Sequence, residues 1–188
     1  MTGSGTGSSF RIVGERTKWS GRRLALNVAD VEAPDGSRHE REVVRHPGAV
    51  GVVPLHDDGT ITMVHQYRVA IDADMWEIPA GLRDVEDEPT AETARRELIE
   101  EAGLEAAQVE HLVTFHNSPG FTDEVVIVYL ATGLTEVPHD RQGIEEDHML
   151  VERVPLEVAL ARVDRGELTD AKTVIALLAI ARRRAAAG

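Results

Sequence analysis

The feature that most constrains the fold is a change in hydrophobic periodicity near residue 90. Before it, short runs rich in Val, Ile and Thr are separated by turn residues, as is typical of β-strands. From Thr90 to Ala102 the spacing becomes helical, and Ala94 and Leu98 fall on one apolar stripe. Thr90 is predicted to cap this helix, and Gly103 to end it in the left-handed conformation.

The remaining elements follow from the same two periodicities. Strands are predicted at 10–16, 23–33, 41–46, 49–55, 60–70, 75–82, 109–117, 124–134 and 148–154, and helices at 155–166 and 170–184. An Asp-Gly pair between the fourth and fifth strands predicts a β-hairpin there. Strands mixed with few helices, without regular alternation, favour an α+β sandwich over a doubly wound sheet.

Composition narrows the classes of function. A net charge of −13 argues against a nucleic-acid partner, and a phosphate-bearing substrate would need metal cations or local arginines. The absence of cysteine excludes disulfide and thiol chemistry and favours the cytoplasm. The N-terminal residues lack the basic and apolar regions of a signal peptide, and no run approaches the ~20 apolar residues that cross a bilayer. No membrane is therefore expected as a partner.

Three glutamates of the predicted helix share one face. On a helical projection Glu101 lies at about +40° and Glu100 at about −60° from Glu97, so the carboxylates border the apolar stripe. One interpretation is an acidic solvated face that Arg95 and Arg96 partly neutralise. The other is a site for hard divalent cations, which bind carboxylate oxygens together with substrate phosphates. Helix geometry alone leaves both open.

The order of residues in this stretch resembles the signature of the Nudix hydrolases. Its block Arg-Glu-apolar-x-Glu-Glu-x-Gly-apolar is complete at residues 96–104, and the signature glycine is Gly81, one residue earlier than the family's usual spacing. That extra residue leaves both Glu88 and Asp87 as candidates to pair with Arg96. The runs "HQYRVA", "MWEIPAGL", "SPGFTDE" and "GIEED" also occur in the order and rough spacing of the ADP-ribose pyrophosphatase branch.

The resemblance implies an architecture and an activity. Residues 48–188 would form the Nudix fold, which is an α/β/α sandwich around a mixed sheet. Residues 10–47 would form a β-segment used in dimerisation, and residues 1–9 would be a flexible N-terminus. The activity implied is Mg²⁺-dependent hydrolysis of ADP-ribose to AMP and ribose 5-phosphate, with Mn²⁺ as a substitute. Alternatives are another nucleotide sugar, a dinucleotide or a nucleoside triphosphate as substrate. A non-catalytic module that senses ADP-ribose is a further alternative, although such a module would be expected to lose carboxylates that this chain retains.

Site residues are implied by the same resemblance. The metal ligands would be Glu97, Glu100, Glu101, Glu146 and the backbone carbonyl of Ala80. Glu146 is the first candidate for the general base, Glu145 is the second, and Glu100 is a further ligand or an orienting group.

Three residues outside the block are candidates for binding the substrate. Arg45 and Arg68 suit its phosphates or terminal ribose, because a guanidinium forks onto oxygen pairs. Glu77 suits a ribose hydroxyl or a position behind the metal ligands. A structural ion pair is the alternative interpretation for each of the three, because buried charges are usually paired whatever their function. The expected partners are thus a small nucleotide substrate and a second copy of the chain, in the cytoplasm.

Overall fold

The computed structural model of the chain describes residues 9–139 and 148–187. The strands within these residues are β1 (Arg11–Ser20), β2 (Ala25–Glu32), β3 (Arg38–Arg45), β4 (Ala49–Pro54), β5 (Thr60–Arg68), β6 (Ala73–Glu77), β7 (Ala80–Leu82), β8 (Leu104–His116), β9 (Val125–Glu136) and β10 (Leu150–Pro155). The helices within them are α1 (Thr90–Ala102), α2 (Leu156–Asp164) and α3 (Ala171–Ala187). No helix in the described residues is long and apolar enough to span a membrane.

Contacts divide the chain into two compact units. The first ends at Pro47 and also includes Ser118–Glu124. It contains the antiparallel sheet β1-β2-β3. The segment Ser118–Glu124 runs beside β3, because the Val44 N–H donates to the Phe121 carbonyl at 2.8 Å.

The second unit consists of Gly48–Asn117 and the chain from Val125 onward. Its larger sheet has the order β7-β4-β9-β8 and is mixed, since β4 and β9 are parallel and the other pairs antiparallel. Its smaller sheet has the order β10-β5-β6 and is antiparallel. The predicted α+β fold with a mixed sheet is thereby confirmed.

Alternating side chains of β4 separate two apolar clusters. Val50 and Val52 pack with Leu98 of α1 on one face of the larger sheet. Val53 faces the opposite way, into a cluster with Met63 of β5, and this cluster also includes residues of α2 and α3. Helix α1 therefore covers one face of the sheet, and its apolar stripe orients its remaining side chains.

The predicted hairpin between β4 and β5 is wrong. Gly59 does form a turn with φ +82°, and its N–H donates to the His56 carbonyl at 2.9 Å. The two strands nevertheless enter different sheets and share only the isolated bridge between Leu55 and Ile61. The reason is that β4 already has β7 and β9 as neighbours on its two edges.

Of the two predicted ends of α1, only the C-terminal one is confirmed. Gly103 has φ 63°, and its N–H donates to the Ile99 carbonyl, so the predicted left-handed end is confirmed. The predicted Thr90 cap is wrong, because Pro89 occupies the capping position and no side chain caps the helix. The Thr90 hydroxyl is instead hydrogen-bonded to the Tyr129 hydroxyl at 2.6 Å, which ties the start of the helix to β9.

Candidate active site

Helix α1 carries three glutamates that are almost completely buried. Glu97, Glu100 and Glu101 are 7%, 7% and 5% exposed, respectively. Leu98 lies in the same turn and packs on Val50 and Val52 of the sheet, which draws the neighbouring carboxylates to the edge of the core. Their predicted position beside the apolar stripe is confirmed, and their burial excludes a freely solvated acidic face.

The start of β7 lies directly against these carboxylates. The Ala80 N–H donates to Oε2 of Glu101 at 2.8 Å. A Cβ atom placed on Gly81 would lie 2.0 Å from Cδ of Glu97, so a side chain at this position would require the carboxylate to move. Glycine is thus needed here for close approach of the backbone to the glutamates, and not for a left-handed φ.

Arg96 bridges the acidic groups on the outer side of α1. Its Nη1 donates to Glu97 at 2.7 Å and to Glu100 at 3.2 Å. Its Nη2 is 3.3 Å from Glu88, and Glu88 also accepts the Thr93 hydroxyl at 2.8 Å. The carboxylate that pairs with Arg96 is therefore Glu88. Asp87 instead adopts φ 59°, a left-handed conformation that Asp tolerates better than most residues.

Burial dominates the electrostatics of two of the glutamates. It raises the pKa of Glu97 to about 7, with Glu100 adding to the rise and Arg96 opposing it. It raises the pKa of Glu101 to about 8, while the Ala80 N–H and the charges of Arg68 and Lys172 oppose the rise. The nearby positive groups therefore offset only part of the cost of burying an ionised carboxylate at these two positions.

The donor set fits a hard divalent cation. Three carboxylates within little more than one helical turn, beside a backbone segment free of side-chain bulk at Gly81, supply the oxygen ligands such ions prefer. As the side chains stand in residues 9–139 and 148–187, no three Asp, Glu or His groups converge as ligands. Arg96 holds Glu97 and Glu100, and the Ala80 N–H holds Glu101. A bound cation would therefore compete with Arg96 for Glu97.

A second charged group lies where β5, β6 and α3 meet. Glu77 is fully buried, and its two oxygens accept Nε and Nη2 of Arg68, each at 2.6 Å. Lys172 of α3 binds Oε2 of the same carboxylate, and its Nζ lies 3.0 Å from Asp170. Although burial acts to raise the pKa of Glu77, the two cations outweigh it, and the pKa is lowered.

The first turn of α3 also holds the strand end that leads to Ala80. Oγ1 of Thr173 accepts the backbone N–H of Ile78 at 2.9 Å and donates to Asp170 at 2.6 Å. Lys172 and Thr173 were not predicted as site residues. They lie 95 positions from Glu77 and Ile78, and neither stands in a motif that sequence inspection could have detected.

Arg45 is the remaining predicted residue within the described part of the chain. It belongs to the first compact unit, where it forks onto Glu15 at 2.8 and 2.6 Å and reaches Asp123 at 3.0 Å. The pKa of Glu15 is lowered to about 2, with the Arg45 hydrogen bond as the largest cause and the Asn27 hydrogen bond as the next. Glu145 and Glu146 lie outside the described residues.

Known proteins with related sequences match nearly the whole chain. Residues 45–177 match the family described as the NUDIX domain. An ADP-ribose pyrophosphatase of Mycobacterium tuberculosis is 43% identical over 91% of this chain and 83% of its own length. A methanol dehydrogenase activator of Bacillus methanolicus is 43% identical over 85% of each chain. An ADP-ribose pyrophosphatase of Bacillus subtilis is 41% identical over 89% of this chain and 90% of its own.

The fold has a counterpart among solved structures. The crystal structure of an ADP compounds hydrolase superposes with a TM-score of 0.81, covering 95% of this chain and 96% of the other. Its sequence is 22% identical, so this likeness concerns the fold alone.

Proposed function

Since the chain belongs to the Nudix family, we propose that it is a hydrolase that cleaves the diphosphate bond of ADP-ribose and releases AMP and ribose 5-phosphate. The observation that carries the proposal is the set of nearly buried glutamates on α1, packed against the Ala80–Gly81 backbone in a chain that retains the whole signature block. Two of the relatives named above are ADP-ribose pyrophosphatases that match most of the chain, and they support this substrate.

Five groups are proposed to hold the divalent cation. They are the carboxylates of Glu97, Glu100, Glu101 and Glu146 and the backbone carbonyl of Ala80. Oxygen ligands favour Mg²⁺, with Mn²⁺ as a substitute. When bound, the cation supplies neutralisation of the diphosphate charge and polarisation of its P–O bonds.

The hydrolysis adds one water across the P–O–P bridge. The water oxygen bonds to one phosphorus, the bond from that phosphorus to the bridging oxygen breaks, and this oxygen leaves with the second phosphate. A base must take a proton from the attacking water. We propose Glu146 for this role, with Glu145 as the second candidate and Glu100 as an orienting group.

The arginines are proposed to bind the anionic part of the substrate. Nε and Nη2 of Arg68 are held by Glu77, so the carboxylate fixes the guanidinium while Nη1 makes no hydrogen bond within the described residues. Because Glu77 is buried and both of its oxygens are occupied, its proposed role is to orient Arg68 and not to contact a ribose. Arg45 remains a proposed substrate ligand of the first unit.

Other substrates define the alternatives to ADP-ribose. The signature block concerns the diphosphate and says little about the groups on either side of it. Another nucleotide sugar, a dinucleotide or a nucleoside triphosphate would use the same α1 glutamates. A sensing module without catalysis is disfavoured, because the three carboxylates are all retained.

The test is a hydrolysis screen with Mg²⁺ over ADP-ribose, other nucleotide sugars, dinucleotides and nucleoside triphosphates, compared by kcat/KM. We expect ADP-ribose to give the highest value and AMP to appear among its products. A triphosphate preferred by a wide margin would overturn the substrate assignment, and no turnover of any diphosphate would overturn the hydrolase.

The proposed setting of the enzyme is a homodimer in the cytoplasm. Residues 10–47 are proposed to form the dimer contact, and exposed apolar side chains of β1 support this. The absence of cysteine suits a reducing compartment, and the net charge of −13 disfavours nucleic acid. No membrane partner is proposed.

A further inference from the structure

Strand β5 carries a buried amide that no described residue satisfies. Gln66 is 7% exposed and pairs with Met75 of β6, while the pairing of β5 with β10 ends one residue earlier, at His65. Its Nε2 has no hydrogen-bond partner within residues 9–139 and 148–187. Since nearly all buried polar groups in native proteins are hydrogen-bonded, an unpartnered donor in this position calls for a ligand or a structural water.

The register of the small sheet shows what surrounds this amide. Gln66 lies opposite Met75, between the pairs Val64–Glu77 and Arg68–Ala73. Side chains two residues apart on a strand share a face, so Gln66 lies between Arg68 and the carboxylate of Glu77 on one face of β5. The amide is thus placed beside the charged group, and not in the apolar cluster of Ile61 and Met63.

The neighbouring carboxylate does not serve as the missing acceptor. Both oxygens of Glu77 are taken by Arg68, and one of them also by Lys172. Arg68 uses Nε and Nη2 for this contact, and its side chain is 40% exposed. Two donors on this face of β5 therefore have no acceptor among the described residues: Nε2 of Gln66 and Nη1 of Arg68.

One of these donors belongs to a residue near a proposed metal ligand, since the charge of Arg68 acts on the carboxylate of Glu101. Helix α1 packs against β5 as well as against the larger sheet. The chain runs from β6, which pairs with Gln66, through Ile78 and Pro79 to Ala80, whose N–H binds Glu101. An oxygen-rich anion held near Glu97 and Glu101 would meet a guanidinium and an amide, which together suit a phosphate.

We propose that Gln66 is a substrate-binding residue whose Nε2 donates a hydrogen bond to an oxygen of the substrate's diphosphate group, next to Nη1 of Arg68. The inference rests on the proposed function, because it takes a nucleoside diphosphate derivative as the substrate. It adds a neutral donor beside the charged side chains, Arg45 and Arg68, that are proposed to bind the substrate. On this proposal the substrate supplies the acceptor that the amide lacks among the described residues.

The experiment compares Gln66→Met with the wild type in three measurements. They are thermal unfolding of the free protein, calorimetric binding of the α,β-methylene analogue of ADP-ribose, which lacks the cleavable bridge, and kcat/KM for hydrolysis. Methionine matches the shape of glutamine without its donor. Gln108→Met is the matched control, because Gln108 is an exposed glutamine on β8.

We expect opposite effects on stability and on binding. Without the unpartnered amide the variant should unfold at a temperature equal to the wild type's or roughly 2–4 °C higher. Binding of the analogue and kcat/KM should each fall roughly 10- to 100-fold, the effect of losing a hydrogen bond to a charged group. The Gln108 control should leave all three values unchanged.

A variant that binds and turns over substrate as the wild type does would overturn the proposal, whatever its stability. Such a variant with a lower melting temperature would assign Gln66 to a structural water. If Gln66→Met does not fold, Gln66→Leu is measured in the same way, by the same criteria. Wild-type turnover of ADP-ribose is measured first. If the wild type instead cuts a different diphosphate, ADP-ribose is ruled out as the substrate. The comparison of Gln66→Met with the wild type is then repeated with that compound and its methylene analogue. This repeated comparison still decides the role of Gln66.

Discussion

At the scale of single residues, the site depends on carboxylates held where water cannot easily stabilise their charge. Glu101 is 5% exposed, and its strongest compensating contact is one backbone N–H from Ala80. Burial of this kind disfavours the ionised form unless a positive group is close. A divalent cation would supply that positive charge. The buried carboxylates destabilise the metal-free protein, and for the same reason they are suited to bind the ion.

Replacing Glu101 by Gln tests this directly. We expect kcat/KM for ADP-ribose to fall by at least roughly 100-fold, because a proposed metal ligand is lost. The free energy of unfolding of the metal-free protein should be unchanged or higher, since the neutral amide is easier to bury. Mg²⁺-dependent initial rates and thermal unfolding measure the two effects. Glu92→Gln, an exposed position on the same helix, is the control, and near-wild-type activity of Glu101→Gln would contradict the assignment.

Replacing Gly81 by Ala tests the close approach of backbone and carboxylate. The added Cβ would overlap Glu97, so the carboxylate must turn away from its position. We expect a loss of about 1–3 kcal/mol in the free energy of unfolding and a weaker response of the rate to Mg²⁺. Urea unfolding and Mg²⁺ titration of the activity measure these changes. Gly120→Ala is the control, because a Cβ there meets nothing within 4 Å. If Gly81→Ala and Gly120→Ala had the same unfolding free energy and the same response to Mg²⁺, the overlap of the added Cβ with Glu97 would have no consequence.

At the scale of elements, α3 fixes the end of β6 that leads into the proposed metal site. Its first turn supplies Lys172 to the buried Glu77 and Thr173 to the Ile78 N–H. Removing one member of a buried ion pair leaves the other charge uncompensated and is strongly destabilising. The helix therefore contributes to the site through charge and hydrogen bonds as well as through its apolar face.

Replacing Glu77 by Gln should reveal this as a pH-dependent effect. At pH 7 we expect the free energy of unfolding to fall by about 3 kcal/mol, because Lys172 and Arg68 lose their shared anion. The wild-type pKa of Glu77 lies below its ordinary value of 4.5. The contribution of the carboxylate is therefore complete above pH 4.5 and is lost as the pH falls through the lowered pKa.

Urea unfolding of the wild type and of Glu77→Gln, repeated from pH 7 downward, measures this convergence. The difference between them should shrink below pH 4.5. The control is Glu110→Gln, which removes the exposed ion pair with Arg183 and should cost less than about 1 kcal/mol throughout. A difference between the wild type and Glu77→Gln that stays constant with pH would contradict the ionic role of Glu77.

At the scale of the whole molecule, the described chain forms two compact units with different surfaces. The second has two apolar clusters enclosed by sheets and helices. The first is a three-stranded sheet, and its strand β1 leaves large apolar side chains in solvent, including Ile12 at 57% and Trp19 at 60% exposure. Several exposed apolar side chains of this size on one strand suit a surface that another chain covers.

We therefore expect a dimer formed through residues 10–47. Sedimentation equilibrium at micromolar concentration should give twice the 20.5 kDa mass of the chain. The double substitution Ile12→Asp and Trp19→Asp should shift the protein to a monomer, because burying a charge in an apolar contact is costly. Leu150→Asp, on an exposed residue of the second unit, should leave the dimer intact. A wild-type monomer throughout the micromolar range would remove the inference.

The part of the site that lies within one helix could be predicted from the sequence. Glu97, Glu100 and Glu101 share a face because α-helical geometry is local, and Gly103 ends the helix for a reason contained in its own backbone. The mixed α+β fold followed from periodicity and from the resemblance to a family. The Thr90 cap failed because a tertiary partner, the Tyr129 hydroxyl, competes for that side chain.

Only the tertiary structure decided which distant residues meet. The Asp58–Gly59 turn has the sequence of a hairpin, yet its strands enter separate sheets, because both edges of β4 are occupied by β7 and β9. Lys172 reaches Glu77 across 95 positions, and Nε2 of Gln66 has no acceptor in the described part of the chain. The sequence alone determined the identity and helical spacing of the carboxylates that are proposed to bind the metal. Their burial, their compensating charges and the unpartnered amide depend on contacts between segments far apart in the chain, which no local pattern encodes.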